Sequence, residues 1–433
     1  MCFVTFPTIF SLVLFFVFLL NERKTINQPT TDKSQFKMSG WQMASYFTVF
    51  KDESKLDINY VPSWLSHRDS QLNLLMRFFQ FAVESPGQMA QRALIVGNVG
   101  TGKTALAKLF GLKIMQMAQG KQIKLRYVHI NCRERRGSLF MILQQVVLEF
   151  YPHFPKRGYS SEELLQTLMQ VLDEQNVFVI LVLDELEALI ENEGADALYK
   201  LTRVNESRLK SAQRLSLVGV LRRLEPLSAL DESTKSTLQR NVIFLQDYSK
   251  NQLRDILAAR VTLAFKKDAV LEDSLDLIAE LAEKEGGNAR YGIELLWRAG
   301  KYADVSGVSE VVPECVRHAS SSVYPVQKDA VFSLGLHEQL FLLGLARRFK
   351  KSKESYLTMG EAEEAYRIVC EEYGEKPRRH TQLWKYVNDL STADLVKAKV
   401  SSEGLRGKTT LVSLPYVSAA ELERELSTRL GLR

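Results

Sequence analysis

Cysteine is scarce in this chain. Only Cys2, Cys132, Cys315 and Cys370 occur in 433 residues, far apart, with no CxxC pair and no nearby pair of histidines. That excludes a disulfide framework and a zinc site, and it points to a reducing, intracellular setting. Low-complexity tracts and internal repeats are missing, so a collagen-like chain drops out. Neither sign of charge dominates: 57 Lys and Arg stand against 51 Asp and Glu, and the formal +6 permits an acidic partner without demanding one. Long apolar runs are absent with one exception, which rules out a polytopic membrane protein. What is present is 45% hydrophobic and 25% charged, close to the soluble globular average, over a length that suggests about three domains.

The exception is residues 3–20, uncharged and followed at once by Glu22, Arg23 and Lys24. The run is just long enough to span a bilayer. It lacks a basic leader and a small-residue cleavage site, so a cleaved signal peptide does not fit. As an anchor it would leave the remaining chain cytoplasmic. The reading preferred here places residues 1–42, the apolar run and its polar linker, outside the working protein, because Met38 and Met43 stand just before the dense sequence.

Short apolar runs at 93–96, 127–130, 177–183, 215–220 and 242–244 alternate with helical stretches. This pattern predicts a parallel sheet with helices on both faces. From 249 to about 320 the strands stop and amphipathic helices take over, as at 251–265 and 274–285. Residues 321–329, with Pro325, read as a hinge. Beyond it come three helical patterns and an apolar alternation at 397–400 and 410–414.

Gly97-Asn98-Val99-Gly100-Thr101-Gly102-Lys103-Thr104, continued by Ala105, fits G-x-x-x-x-G-K-[ST] between a strand and a helix. Its glycines let backbone amides approach phosphate oxygens at a helix amino end. Lys103 is expected at the β and γ phosphates and Thr104 at Mg²⁺. Asp184 and Glu185 close the 177–183 run where ligands of α/β sheets bind. Asp184 is expected to act on the metal and Glu185 to polarise the attacking water. Glu187, Glu191 and Glu193 read as a solvated helix face.

With these two motifs placed, the chain resembles an AAA+ ATPase of the archaeal replication-initiator family, related to the eukaryotic origin recognition complex and its helicase-loading cofactor. The resemblance runs over about residues 57–416. It rests also on 60–69, including Val61 and Arg68, similar to the segment beside adenine in that family, and on 198–203, which follows the second acidic motif there. Residues 230–238 resemble the segment before the fifth strand, and Arg290 in 287–296 stands where the family's lid arginine senses the γ-phosphate. A guanidinium on a separate helical lid can bridge a charge that disappears on hydrolysis. His67 reads as positional.

Two positions depart from the family. Arg222 stands where an asparagine usually positions the attacking water, and an arginine accepts nothing. Ser233 stands where an arginine usually completes a neighbour's ATP site. The resemblance therefore implies slow hydrolysis. Arg222 or Arg223 as a substitute cationic finger, or as part of a solvated basic loop, both remain open.

The resemblance also implies a carboxyl-terminal winged helix. Residues 376–408 hold eight Lys and Arg against three Asp and Glu, most of the chain's surplus. Pro377 is expected to start a recognition helix whose first turn carries Arg378, Arg379, His380 and Gln382, with Lys385 beyond, and residues 401–410, with Arg406 and Lys408, to form a basic wing tip. Trp384 and Tyr386 read as core. Lys156 and Arg157 offer a second DNA contact.

The expected fold is thus α/β: an AAA+ parallel-sheet P-loop ATPase domain at 43–248, a helical lid at 249–320, a winged helix at 330–416 and a terminal helix at 417–433. The expected protein is a cytoplasmic, nucleoid-associated initiator that uses ATP/ADP and Mg²⁺. It recognises double-stranded origin DNA and helps recruit the replicative helicase, in company with paralogous initiators. The alternatives are a signalling or membrane-tethered regulatory P-loop ATPase, and a transposon- or plasmid-associated AAA+ ATPase.

Overall fold

The computed structural model describes residues 48–433 apart from 156, 205–210, 239–240, 322–330, 332, 401–409, 415–416 and 432–433. The apolar run, Lys156, the expected hinge and the wing-tip residues Arg406 and Lys408 therefore lie outside the described residues. Among the described residues no helix is long and apolar enough to cross a membrane.

The five apolar runs form one parallel sheet. Its strands are β1 (Arg92–Gly97), β2 (Leu125–Asn131), β3 (Phe178–Asp184), β4 (Leu215–Leu221) and β5 (Val242–Leu245), in the order β2-β3-β4-β1-β5. Side chains alternate across it. Leu94, Val96, Leu181, Leu183 and Leu217 face a layer built from α3 (Leu139–Phe150), α4 (Ser161–Gln175) and α5 (Glu187–Arg203). Ile95, Ile180, Val182, Val218 and Val220 face α1 (Asp69–Glu84) and α2 (Lys103–Gly120). Both faces are covered, which is why the inner strands β1, β3 and β4 are nearly continuous apolar runs while the edge strand β2 alternates. The short α6 (Glu232–Leu238) leads into β5.

The lid comprises α7 (Lys250–Ala264), α8 (Glu272–Lys284), α9 (Ala289–Ser306) and α10 (Pro313–Ser321). Ser249 starts α7 through a reciprocal capping box with Gln252. The first described residues join this lid: Val49, Phe50 and Leu56 sit in its core cluster, with Phe50 tilted on Phe265 at 4.8 Å. The sequence reading had counted them with the ATPase domain. Asp304 accepts from the Thr48 hydroxyl and the Val49 amide at 2.8 Å each. Trp297 and Lys301 bind the Glu53 carboxylate at 2.7 Å each.

The carboxyl-terminal part contains α11 (Leu336–Lys351), β6 (Leu357–Thr358), α12 (Met359–Glu372), α13 (His380–Thr392), β7 (Lys397–Val400), β8 (Thr410–Ser413) and α14 (Ala419–Arg429) around a separate core. Its small antiparallel sheet has the order β6-β8-β7. This is a winged helix with a third strand, β6, which is too short to read from sequence.

This part is joined to the lid by a buried junction. Arg317 of α10 is fully buried beneath the Phe349 ring, 4.5 Å from its centroid. It donates to the Leu414 carbonyl at 2.8 Å and the Ser355 carbonyl at 3.2 Å, and it pairs with Glu314 at 3.4 Å. Glu314 in turn accepts from Ser418 Oγ at 3.0 Å and the Ala420 amide at 3.2 Å. A buried guanidinium needs all its partners, and here they come from both sides of the junction. Glu280 of α8 adds bonds from Lys250 and the Tyr356 hydroxyl, 3.0 Å each, and from Lys397 of β7.

Candidate functional site

The strand order sets the site. The phosphate loop leaves β1 and the acidic pair ends β3, with β4 between them, so Arg222 emerges between the two motifs at the carboxyl edge of the sheet. A cavity of about 830 Å³ opens there. Val61, Val99, Gly100, Gly102, Lys103, Thr104, Ala105, Asp184, Glu185, Arg222 and, from the lid, Arg290 line it. Gly97, Asn98, Thr101 and Arg68 do not.

Arg68 is instead a brace behind the loop, a correction to its expected place beside the ligand. It is buried, donates to the Thr101 carbonyl at 3.1 Å and the Gln246 carbonyl at 2.6 Å, and lies over the Tyr248 ring at 3.9 Å. Asn98 donates to Asp247 at 3.0 Å. Loop geometry demands its glycines: Gly102, with φ of +89°, caps α2. Gly100, with φ of +81°, has space for no side chain, since a Cβ would fall 1.9 Å from Asn288 Oδ1 of the lid. Asn288 caps α9 by accepting from the Tyr291 amide, and the Ala289 amide donates to the Gly100 carbonyl at 3.2 Å. Arg290 thus lies in the first turn of the helix that touches the loop.

Lys103 Nζ donates to the Gly97 and Asn98 carbonyls at 2.6 and 2.7 Å. Burial pulls its pKa below the ordinary lysine value, while Asp184 and Glu187 act the other way. Thr104 Oγ1 donates to Asp184 Oδ2 at 2.7 Å. Burial favours the neutral form of Asp184, but bonds from His129 and Thr104 outweigh it and hold the carboxyl below its ordinary value. Glu185 sits at φ of +52°, a conformation that non-glycine residues hold only when the surroundings impose it. Its carboxylate accepts from Arg133 Nε at 2.9 Å and faces Arg222 at 3.7 Å. The nearby Cys132 thiol is pushed up to about 12 by burial and by these carboxylates, so it offers no nucleophile.

Three residues at the site escaped sequence reasoning. Glu187, expected on a solvated face, is buried at 6% exposure and lines the cavity. Neither of its oxygens accepts a hydrogen bond among the described residues, and Arg222 Nε stands 3.7 Å away. Arg222 is therefore no part of a free basic loop. His129 lines the cavity between Asp184 (3.2 Å) and the Tyr127 hydroxyl (3.0 Å). The alternation of β2, which puts Tyr127 and His129 on one face, was the available signal. Arg133, just past β2, gave none. His67, read as positional, bonds Asp255 of the lid at 2.8 Å.

Residues present fit a triphosphate and a hard divalent cation. Thr104 and Asp184 converge beneath a glycine loop, and the buried oxygens of Glu187 lie nearby without donors. No cluster of three or more His, Cys, Asp and Glu among the described residues would hold a metal alone. Such a cation depends on phosphate oxygens for its remaining ligands, the usual arrangement for Mg²⁺.

At the second expected site α13 begins at His380, later than expected. Arg379 is its extended N-cap and Arg378 precedes it. Tyr386 is core as expected, but Trp384 is 38% exposed. Lys385 is exposed on the same helix.

Comparison with known proteins places both sites in one family. Three family profiles match in chain order: an AAA domain over residues 88–227, the Cdc6 AAA+ ATPase-type lid domain over 254–321, and the CDC6 C-terminal winged helix domain over 329–423. The chain is 34% identical over 394 residues to ORC1-type DNA replication protein 2 of Sulfolobus acidocaldarius, covering 89% of this chain and 95% of that one. It is 30% identical over 378 residues to the ORC1-type DNA replication protein of Thermococcus kodakarensis, covering 85% and 89%. Among solved structures, Cdc6p from Pyrobaculum aerophilum is 33% identical with a TM-score of 0.74, covering 89% of this chain and all of that one. Aeropyrum pernix ORC1, solved in complex with DNA, is 29% identical with a TM-score of 0.58, covering 88% and 97%. The phosphate loop, the lid that touches it and the winged helix belong together: this chain is a member of the ORC1/Cdc6 family of AAA+ DNA replication initiators.

Proposed function

We propose that this protein is an ATP-dependent switch that binds duplex DNA at a replication origin and helps recruit the replicative helicase. The observation that carries the nucleotide half is the Thr104–Asp184 pair under the glycine loop, in a cavity whose far wall includes Arg290 of the lid. Thr104 and Asp184 hold Mg²⁺ in this reading, and the bound metal supplies neutralisation of phosphate charge. Lys103 exchanges its loop carbonyls for phosphate oxygens, Glu185 orients water, and Arg290 reports the γ-phosphate to the lid. Slow hydrolysis is supported by the two cations at Glu185: a carboxylate already engaged by Arg133 and faced by Arg222 is a poor acceptor for a water proton. The DNA half rests on the winged helix, its exposed basic residues and the DNA complex of the Aeropyrum pernix relative. Paralogous chains as partners, and Arg378, Arg379, Lys385, Arg406 and Lys408 as DNA contacts, follow from the same reading.

Fluorescence-anisotropy titrations of the full chain on duplex DNA over a salt series test it. Binding that weakens steeply with salt is expected, because each neutralised phosphate contributes about one unit of slope. A shift between ATP and ADP is expected as well, and Lys103→Ala should abolish that shift. Salt-independent or absent binding would favour a signalling ATPase.

A further inference from the structure

We infer that Trp384 is a thymine-reading residue: its indole, steadied by His380 and Glu363, meets the 5-methyl group of a thymine in the major groove. This rests on the reading of the winged helix as a DNA binder and specifies what that helix reads.

Leu383, Tyr386, Val387 and Leu390 form the buried stripe of α13. The opposite face carries Thr381, Trp384, Lys385, Asn388, Asp389 and Thr392, all exposed. A tryptophan is costly to leave in water on a helix that already buries a complete stripe. Here it is also held in place. Its Nε1 donates to His380 Nε2 at 3.3 Å, and His380 Nδ1 donates to Glu363 Oε2 of α12 at 2.7 Å. This chain fixes the histidine tautomer and spends both ring nitrogens. His380 is thereby a positioning residue rather than the base contact expected of it. Glu363 is spent on the ring as well, and Asp389, one turn beyond Lys385, is the acid exposed on the face itself.

An α-helix fits the major groove of B-DNA, and among the base edges there the thymine methyl is the apolar one. Lys376, Arg378, Arg379 and Lys385 are exposed at and before the same end of α13 and supply the charge complement to phosphate. An apolar plane held at the edge of such a face finds a match in the thymine methyl. Thr381 and Asn388, one turn to either side, are suited to adjacent base edges.

The test uses duplexes selected by the full chain from a random-sequence pool, remade with deoxyuridine for single thymidines. That change removes one methyl group and leaves the hydrogen-bonding edge intact. For wild type, one or two positions should lose about fourfold in affinity, the worth of one buried methyl-sized group. Trp384→Ala should bind the thymidine duplex as the wild type binds the deoxyuridine duplex, and should no longer distinguish the two. His380→Ala, which frees the indole, should narrow the distinction without reversing it, whereas Trp384→Phe should retain part of it. Wild-type binding that is indifferent to every methyl removal overturns the inference while leaving DNA binding intact. So does undiminished methyl discrimination by Trp384→Ala. Failure of the wild type to bind any duplex overturns the DNA reading, and this inference with it.

Discussion

Two of the lid's contacts are built on opposite principles. Toward the phosphate loop it offers one backbone hydrogen bond, Ala289 to Gly100, and a close approach of Asn288 to a glycine. Around that contact stand charged groups with capacity to spare: Lys103 folded onto its own loop, Glu187, whose oxygens accept no hydrogen bond among the described residues, and Arg290. Toward the winged helix the lid offers a buried arginine whose donors go to Leu414, Ser355 and Glu314, and a glutamate receiving three donors. A satisfied buried network holds one arrangement, because breaking it strands charge. A sparse contact with spare charge can be remade by a ligand. The difference assigns motion to the cleft side and makes the lid and winged helix one body, so nucleotide state at the loop is expected to reach the DNA-binding surface.

The comparison breaks most severely at Arg317. Arg317→Ala should destabilise the protein by about 3–5 kcal/mol, because Glu314 is left buried with one partner fewer. Urea unfolding measures this, and a loss below about 1 kcal/mol would show that the junction is not the rigid side. On the other side, Glu185→Gln should keep ATP affinity while turnover falls by about 100-fold, as read in single-turnover assays. Arg133→Ala should do the reverse and raise turnover a few-fold. Acid sharpens the contrast. Burial favours the neutral form of Glu280, but Lys397 and Lys250 hold its carboxyl down to about 2, below the ordinary 4.5. A depressed carboxyl stabilises the fold above the unfolded value, so this contribution, about 3 kcal/mol at most, is present above about pH 4.5 and is lost as pH falls toward 2. Glu280→Gln should flatten that part of the stability profile in thermal melts. Gly100→Ala is expected to cost about 1–2 kcal/mol from the left-handed backbone. It should push Asn288 away and weaken ATP binding while leaving the pH profile of the junction unchanged.

Much of this was legible in sequence because it is local. The three inner strands of the large sheet, β1, β3 and β4, are nearly continuous apolar runs, as burial on both faces requires, and the phosphate loop and acidic pair are contiguous motifs. What failed depends on partners distant in the chain. Glu187 looks solvated beside Glu191 and Glu193, yet β4 delivers Arg222 to it. Trp384 lies beside Leu383 in sequence but about 100° away around the helix, so apolar spacing alone misassigned it. Arg68 was given to the ligand because its carbonyl acceptors, Thr101 and Gln246, cannot be seen from residue types. The two-residue β6 carries too little pattern to be detected at all.

The arm at residues 48–57 has a consequence for how the chain folds. Its partners lie far downstream: Thr48 is bonded 256 positions away at Asp304, and Glu53 receives Trp297 from 244 positions away. During synthesis Val49 and Phe50 emerge before the entire ATPase sheet and stay without their core until the last lid helices have been made. Closing so long a loop is slow, and apolar surface is exposed while it remains open. The lid should therefore be the last part of the core to consolidate, and a fragment beginning after residue 60 would fold its sheet but carry a lid with an unfilled core.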